Sequence, residues 1–194
     1  MITQEFRPQT FKEVTGQKLP KTVLKAICKS PATSPKTIIL EGAFGTGKTT
    51  CARIFARALN CKHQTKDGDA CGKCEECLSD ISKSIYYEEY DSSIVGNITD
   101  IKELKETFYF NESLGYKVIV LDEAHLITPQ AQSTLLKLFE ESPSGIFFVL
   151  CTTNSSKILN TIQSRALTLK FDLLSLEDIE ENLKNVVKRF TNRY

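Results

Sequence analysis

Gly42-Ala-Phe-Gly-Thr-Gly-Lys48-Thr49 fits the pattern G-x-x-x-x-G-K-[ST]. Glycines at this spacing let backbone N–H groups turn inward around a nucleotide phosphate. Lys48 supplies a cation for the β- and γ-phosphates, and the Thr49 hydroxyl is a ligand for Mg²⁺. A second acidic feature, Asp122-Glu123, ends the apolar run of "VIVLDEAH". Asp122 is placed there to hold the same Mg²⁺, and Glu123 to reach the water that attacks the γ-phosphate. The plainer role for Asp122 is to cap the next helix. His125 reads as a packing or orienting residue, because the Asp-Glu pair already supplies the carboxylates.

Four of the seven cysteines, Cys61, Cys71, Cys74 and Cys77, follow C-x9-C-x2-C-x2-C. Four thiolates on one tight loop suit tetrahedral zinc with no open position, which is a structural site. His63 in place of Cys61, an iron–sulfur cluster and a redox dithiol are the alternatives. The odd total of seven speaks against a complete disulfide framework. Cys28, Cys51 and Cys151 fall in helical or strand patterns and read as buried small apolar residues.

The elements that must position these groups alternate. Residues 17–29 carry a helical stripe (Leu19, Val23, Leu24, Ile27, Cys28), and 36–42 read as a buried strand entering the glycine loop. Helices are expected from Lys48 to about Asn60, over 100–110 with Ile101, Leu104 and Phe108 on one side, and from Pro129, capped by Thr128. Further strands are expected at 85–91, within 116–125, at 146–153 and at 166–171; the segment between Cys61 and Cys77 reads as loop. Strands alternating with helices imply α/β architecture, a five-stranded parallel sheet with helices on both faces. Ser175 with Asp178 fits a capping box. The stripe Leu176, Ile179, Leu183, Val186, Val187 and Phe190 that follows belongs to a helix that one domain cannot bury.

The chain has 194 residues, 41% hydrophobic and 25% charged, with a formal net charge of +1. No global field draws it to nucleic acid or anionic lipid, so any contact with DNA must come through a local patch or an assembly. No run approaches the ~20 apolar residues of a membrane helix, and the N-terminus has no signal-peptide core. A cytoplasmic protein without a membrane partner is expected, and a reducing compartment favours metal over disulfide for the cysteines.

Three more stretches make the pattern specific: "FRPQTFKEVTGQ" (6–17), "STLLKLFEESP" (133–143) and "QSRA" (163–166). With the cysteine insertion between the phosphate-loop helix and the second strand, the chain closely resembles the gamma/tau ATPase subunit of bacterial DNA polymerase III clamp loaders, an AAA+ P-loop NTPase family, over roughly residues 5–185. The resemblance implies an ATPase domain over 1–172 with a zinc-binding insertion at 61–77, and the first helix of a helical lid over 173–194. It implies ATP as ligand, with Arg7, Pro8 and Val14 lining the adenine pocket and Gly45, Thr46, Gly47, Lys48, Thr49 and Thr50 wrapping the phosphates. Thr153 would sense the γ-phosphate, and Arg165 would be a finger reaching the ATP of a neighbouring subunit. The implied partners are delta- and delta-prime-type subunits in a hetero-pentamer, the sliding clamp, and primer–template DNA through the assembly. ATP binding and hydrolysis would drive opening and loading of the clamp during replication.

Two departures stand out. Ala166 replaces the family's cysteine after Arg165, and residues 91–101, near DNA in the family, hold no Lys or Arg. The family's lid, with its second sensor arginine, continues past Tyr194, so a truncated or short phage-type version is expected. Two other readings remain: a non-hydrolysing, delta-prime-like adaptor, against which Lys48, Thr49, Asp122 and Glu123 stand, and a P-loop small-molecule kinase, which has no use for Arg165.

Overall fold

In the computed structural model, residues 6–107, 114–141 and 143–191 are described. Five strands run β1 (Thr37–Gly42), β2 (Tyr87–Asp91), β3 (Lys117–Asp122), β4 (Ile146–Thr152) and β5 (Leu167–Phe171). They pair in the order β2-β3-β4-β1-β5, every pairing parallel. The register sets Ile38 opposite Val149 and Leu167, and Val118 opposite Tyr87 and Phe147. Helices α1 (Lys18–Lys29), α2 (Lys48–Leu59), α4 (Ile98–Thr107), α5 (Pro129–Glu141) and α7 (Leu176–Thr191) are joined by two single turns, α3 (Glu75–Leu78) and α6 (Asn160–Gln163).

Strand residues point alternately to the two faces, and the core divides accordingly. Ile38, Leu40, Val118, Val120, Phe147 and Val149 meet Leu24 of α1 and Ile54 and Phe55 of α2. Ile39, Ile119, Leu121, Phe148 and Leu150 meet Ile101 and Leu104 of α4 and Leu135 and Leu138 of α5. Both faces are covered, which is why the strands read as unbroken apolar runs. The three cysteines outside the cluster, Cys28, Cys51 and Cys151, are buried and unpaired, and burial pushes each thiol up.

Several boundaries differ from the sequence expectations, for local reasons. Helix α4 begins two residues early because Asn97 and Asp100 form a reciprocal cap: Asn97 Oδ1 accepts from the N–H groups of Thr99 (2.9 Å) and Asp100 (3.2 Å), and Asp100 Oδ2 accepts from Asn97 N–H (3.2 Å). The expected end of this helix, with Phe108, lies outside the described residues. β5 starts at Leu167, because the turn holding Arg165 and Ala166 is closed by bonds to the carbonyls of Ile162 and Gln163. β4 ends at Thr152, so Thr153 lies just beyond the strand. The cysteine segment, expected as loop, contains the helical turn α3.

At the C-terminal side the Ser175–Asp178 capping box forms, with Asp178 N–H donating to Ser175 Oγ (3.0 Å) and Ser175 N–H to Asp178 Oδ2 (3.3 Å). Along α7, Leu176 is 85% exposed and Leu183 61%. Among the described residues, no helix is long and apolar enough to cross a membrane.

Candidate functional site

The glycine loop joins β1 to the start of α2. Gly45 (φ 75°) and Gly47 (φ 98°) both take the left-handed backbone that the loop needs, with open space where a Cβ would be. A side chain there would be strained by the positive φ. Lys48 is 5% exposed, and its Nζ donates to the carbonyls of Gly42 (2.8 Å) and Ala43 (2.9 Å). Thr46 Oγ1 donates to Ala43 O (2.9 Å). Thr50, the last residue of the expected phosphate wrap, is half-buried in the first turn of α2.

Strand β4 lies between β1 and β3, yet the glycine loop and the acidic strand end meet above it. Thr49 Oγ1 donates to Asp122 Oδ2 at 2.9 Å, across 73 residues of sequence. A hydroxyl and a carboxylate oxygen at one point are the protein donors that a magnesium ion takes, the rest coming from water and phosphate. Glu123, next along, has a left-handed backbone (φ 51°) that turns the chain off β3 into the short Ala124–Leu126 turn. Its buried Oε2 lies 3.4 Å from His125 Nδ1 but makes no hydrogen bond. An unsatisfied buried carboxylate oxygen is costly in a resting site, and it leaves Glu123 with acceptor capacity for a water or ligand. The same His125 nitrogen is 3.4 Å from the Thr152 hydroxyl, which also donates to Asn154 O (3.1 Å).

The segment 6–21 and helix α7 border an open cavity of about 700 Å³. Pro8, Val14, Lys18, Lys21 and Asp178 are among its lining residues. Lys21 Nζ donates to Val14 O (2.6 Å), and burial lowers its ammonium. Arg7 does not line this cavity. It lines a separate one of about 300 Å³ with Pro8, Arg53 and Arg57, and burial, with the nearby Arg53 charge, lowers its guanidinium. Arg53 makes a bidentate pair with Glu89 (2.7 and 2.8 Å), which Tyr87 also hydrogen-bonds.

Gln17 ties the phosphate loop to the end of β5. Its Nε2 donates to Asp172 O (2.7 Å) and Thr46 O (3.3 Å), and its Oε1 accepts from Asp172 N–H (3.2 Å). One buried amide therefore links the phosphate loop to the segment entering α7. Arg165, by contrast, finds its partners outside the loop. It is exposed, pairs with Glu140 at 3.3 Å and donates to Thr161 O (3.1 Å). Thr153 is half-buried.

The four cysteines converge. All their sulfurs lie within 4.8 Å of one another, with Cys61–Cys77 at 3.6 Å and Cys61–Cys74 and Cys71–Cys77 at 3.9 Å. A tetrahedron built on a Zn–S distance of ~2.3 Å sets sulfurs ~3.8 Å apart, so the cage fits zinc. Backbone N–H groups also point at sulfur: Cys71 N–H at Cys61 Sγ (3.3 Å), and Lys73 and Cys74 N–H at Cys71 Sγ (3.4 and 3.3 Å). These last two hold the Cys71 thiol down at about 6. Burial pushes the Cys61 and Cys77 thiols up, a penalty that a bound cation would offset. His63 is exposed and outside this cluster.

Sequence patterns missed Gln17, Asp69, the Arg53–Glu89 pair and Thr152. Only Gln17 had a local signal, since it closes the "VTGQ" stretch; the others act through partners distant in sequence.

A family model described as DNA polymerase III, delta subunit, matches residues 16–175. The DNA polymerase III subunit gamma of Buchnera aphidicola subsp. Schizaphis graminum is 36% identical over 199 residues, covering 100% of this chain and 53% of that protein. The gamma/tau subunit of Mycoplasma pneumoniae is 37% identical, covering 97% of this chain and 28% of its own length. The tau subunit of Bacillus subtilis is 34% identical, covering 94% and 32%. The chain thus spans about half or less of these relatives. Among solved structures, Thermotoga maritima RuvB, described as a Holliday junction branch migration motor, aligns with a TM-score of 0.65 at 20% identity over 92% of this chain and 53% of that one. A point mutant of the same RuvB aligns with a TM-score of 0.70 at 19% identity, over 97% and 56%. At such identity the likeness is one of fold, a parallel α/β sheet with helices on both faces.

Proposed function

This chain belongs to the DNA polymerase III delta subunit family, and from that premise, with gamma and tau subunits among its relatives, we propose that it binds and hydrolyses ATP in a cytoplasmic clamp loader. There it would couple the nucleotide cycle to opening the sliding clamp and loading it on primer–template DNA, beside delta- and delta-prime-type subunits.

The 2.9 Å contact between Thr49 and Asp122, with Lys48 buried in the loop beside it, carries this reading. The start of α2 and the end of β3 meet there, with the hydroxyl and carboxylate that suit a phosphate-bound magnesium ion. The N–H groups of Gly45 to Thr50 hold phosphate oxygens, and Lys48 leaves the Gly42 and Ala43 carbonyls to reach them. A magnesium ion held by Thr49 and Asp122 would neutralise phosphate charge. Glu123 would turn its unsatisfied oxygen to the attacking water, and Thr153, just past the end of β4, would sense the γ-phosphate. The base enters the cavity beside Pro8 and Val14. Arg165, exposed and held by a surface ion pair worth about 0–1 kcal/mol and one bond to Thr161 O, would swing out to reach a neighbour's nucleotide, where such a finger contributes roughly 10³–10⁵ in rate.

The test is steady-state ATP hydrolysis by the chain assembled with partner subunits, clamp and primed DNA. Glu123→Gln should abolish stimulated hydrolysis and keep ATP binding. In mixed assemblies, Arg165→Ala should silence the neighbour's site and leave its own active. If Lys48→Ala leaves hydrolysis and clamp loading unchanged, the reading is wrong. The delta description of the family favours a second reading, a non-hydrolysing adaptor. That reading stands if wild-type chain binds ATP but Glu123→Gln changes no rate.

A further inference from the structure

Asp69 lies between Cys61 and Cys71, yet its carboxylate serves a different part of the chain. The short 3-10 turn Phe11–Glu13 has Thr10 as its N-cap, and Thr10 makes no side-chain capping bond. The first N–H groups of any helical turn need acceptors. Here they find them 58 and 57 residues away: Phe11 N–H donates to Asp69 Oδ1 and Lys12 N–H to Asp69 Oδ2, both at 2.9 Å. Oδ1 also accepts from Ala70 N–H (2.8 Å). Asp69 is 4% exposed, so this is a buried carboxylate bonded by three backbone donors, a charge-assisted arrangement stronger than a neutral cap.

The support behind Asp69 is firm. Its N–H donates to Thr65 Oγ1 (2.9 Å), and its carbonyl accepts from Thr65 N–H (3.0 Å). At Gly68 the loop presses on α1 so closely that a Cβ would come within 2.3 Å of Lys25 O. Two residues on from Asp69, Cys71 enters the sulfur cage. The segment that Asp69 holds is the cavity's edge: Lys12, Glu13 and Val14 line it. Its far end is fixed by Lys21 on Val14 O (2.6 Å). One clamp therefore comes from α1 and the other from the cysteine module.

We infer that Asp69 is a positioning residue for the base end of the nucleotide cavity, by which the four-cysteine module fixes the wall against which the base packs. This rests on the reading of that cavity as the base site. A contribution at the base end must weaken ATP but not a ligand held by the phosphate loop alone.

The experiment compares wild type, Asp69→Asn and Asp69→Ala for binding of ATP and of inorganic tripolyphosphate by calorimetry, with amide hydrogen exchange at Phe11 and Lys12. Asp69→Ala should weaken ATP about tenfold or more, leave tripolyphosphate within about twofold, and lose protection at the two amides. Asp69→Asn, which keeps one acceptor oxygen, should fall between. Equal weakening of both ligands, or ATP affinity unchanged in both variants, overturns the inference. A wild type that binds tripolyphosphate as tightly as ATP overturns instead the base-site reading on which it stands.

Discussion

Replacing Lys48 by methionine removes the ammonium and keeps most of the stem's volume. In the resting protein that ammonium donates to Gly42 O (2.8 Å) and Ala43 O (2.9 Å). Binding a nucleotide therefore exchanges two bonds to neutral carbonyls for two bonds to phosphate oxygens. Both sets of bonds have a charged donor, and the phosphate adds the attraction of opposite charges, about 1 kcal/mol at 4 Å in water and about 4 kcal/mol at an effective dielectric of about 20. The exchange nets roughly 1–4 kcal/mol, and its centre, about 2.5 kcal/mol, corresponds to an affinity loss of about 70-fold. The fold should survive, because Ala43 is exposed and Gly42 half-buried, which lets water take over both carbonyls. Calorimetry with ATP and with adenosine reads the effect: ATP should weaken by that factor and adenosine hardly at all. If ATP binds the variant within about threefold of wild type, or adenosine weakens as much as ATP, the lysine does not act on the phosphates.

Two further outcomes follow from the same geometry. Elemental analysis of purified protein should find about one zinc per chain, and chelation should lower the melting temperature, because metal binding orders a loop with little apolar core of its own; iron, or no metal with the fold intact, would refute the zinc cage. Glu89→Gln should destabilise the protein by about 2 kcal/mol at neutral pH by breaking the pair with Arg53. Burial works to raise the Glu89 carboxyl, but the bonds from Arg53 and Tyr87 outweigh it and hold it below its ordinary value. A depressed carboxyl stabilises the fold fully above its unfolded value of about 4.3 and loses that contribution as pH falls through the folded value. Urea unfolding should therefore show a constant wild-type advantage above pH ~5 that shrinks below ~4, and an advantage that grows on acidification would contradict the assignment.

Much of the molecule is legible in one dimension because its signals are local. The phosphate loop is a run of consecutive residues, and its strand and helix flank it. The apolar runs of β1, β3 and β4 announce a sheet covered on both faces, since a strand with one wet face would alternate. The C-x2-C spacing brings three sulfurs onto one turn by chain geometry alone. Even the α7 cap was readable, in Ser175 and Asp178. Where boundaries slipped, a local competitor had won, as when Asn97 capped α4 early or the Ile162–Ala166 turn delayed β5.

What the sequence by itself determined is the chemistry available: a phosphate-loop motif, an acidic strand end, a four-thiolate set, and a helix with an apolar stripe. Those properties live in residue types and short spacings, which survive without a fold. Tertiary structure alone decided which of them meet. Parallel pairing with β4 interposed set Thr49 against Asp122 across 73 residues. Burial of Gln17 joined the phosphate loop to Asp172, and a carboxylate from the cysteine module became the cap of a turn 58 residues away. Such contacts leave no trace in spacing, because their partners are chosen by the unsatisfied N–H and C=O groups that folding happens to bury side by side.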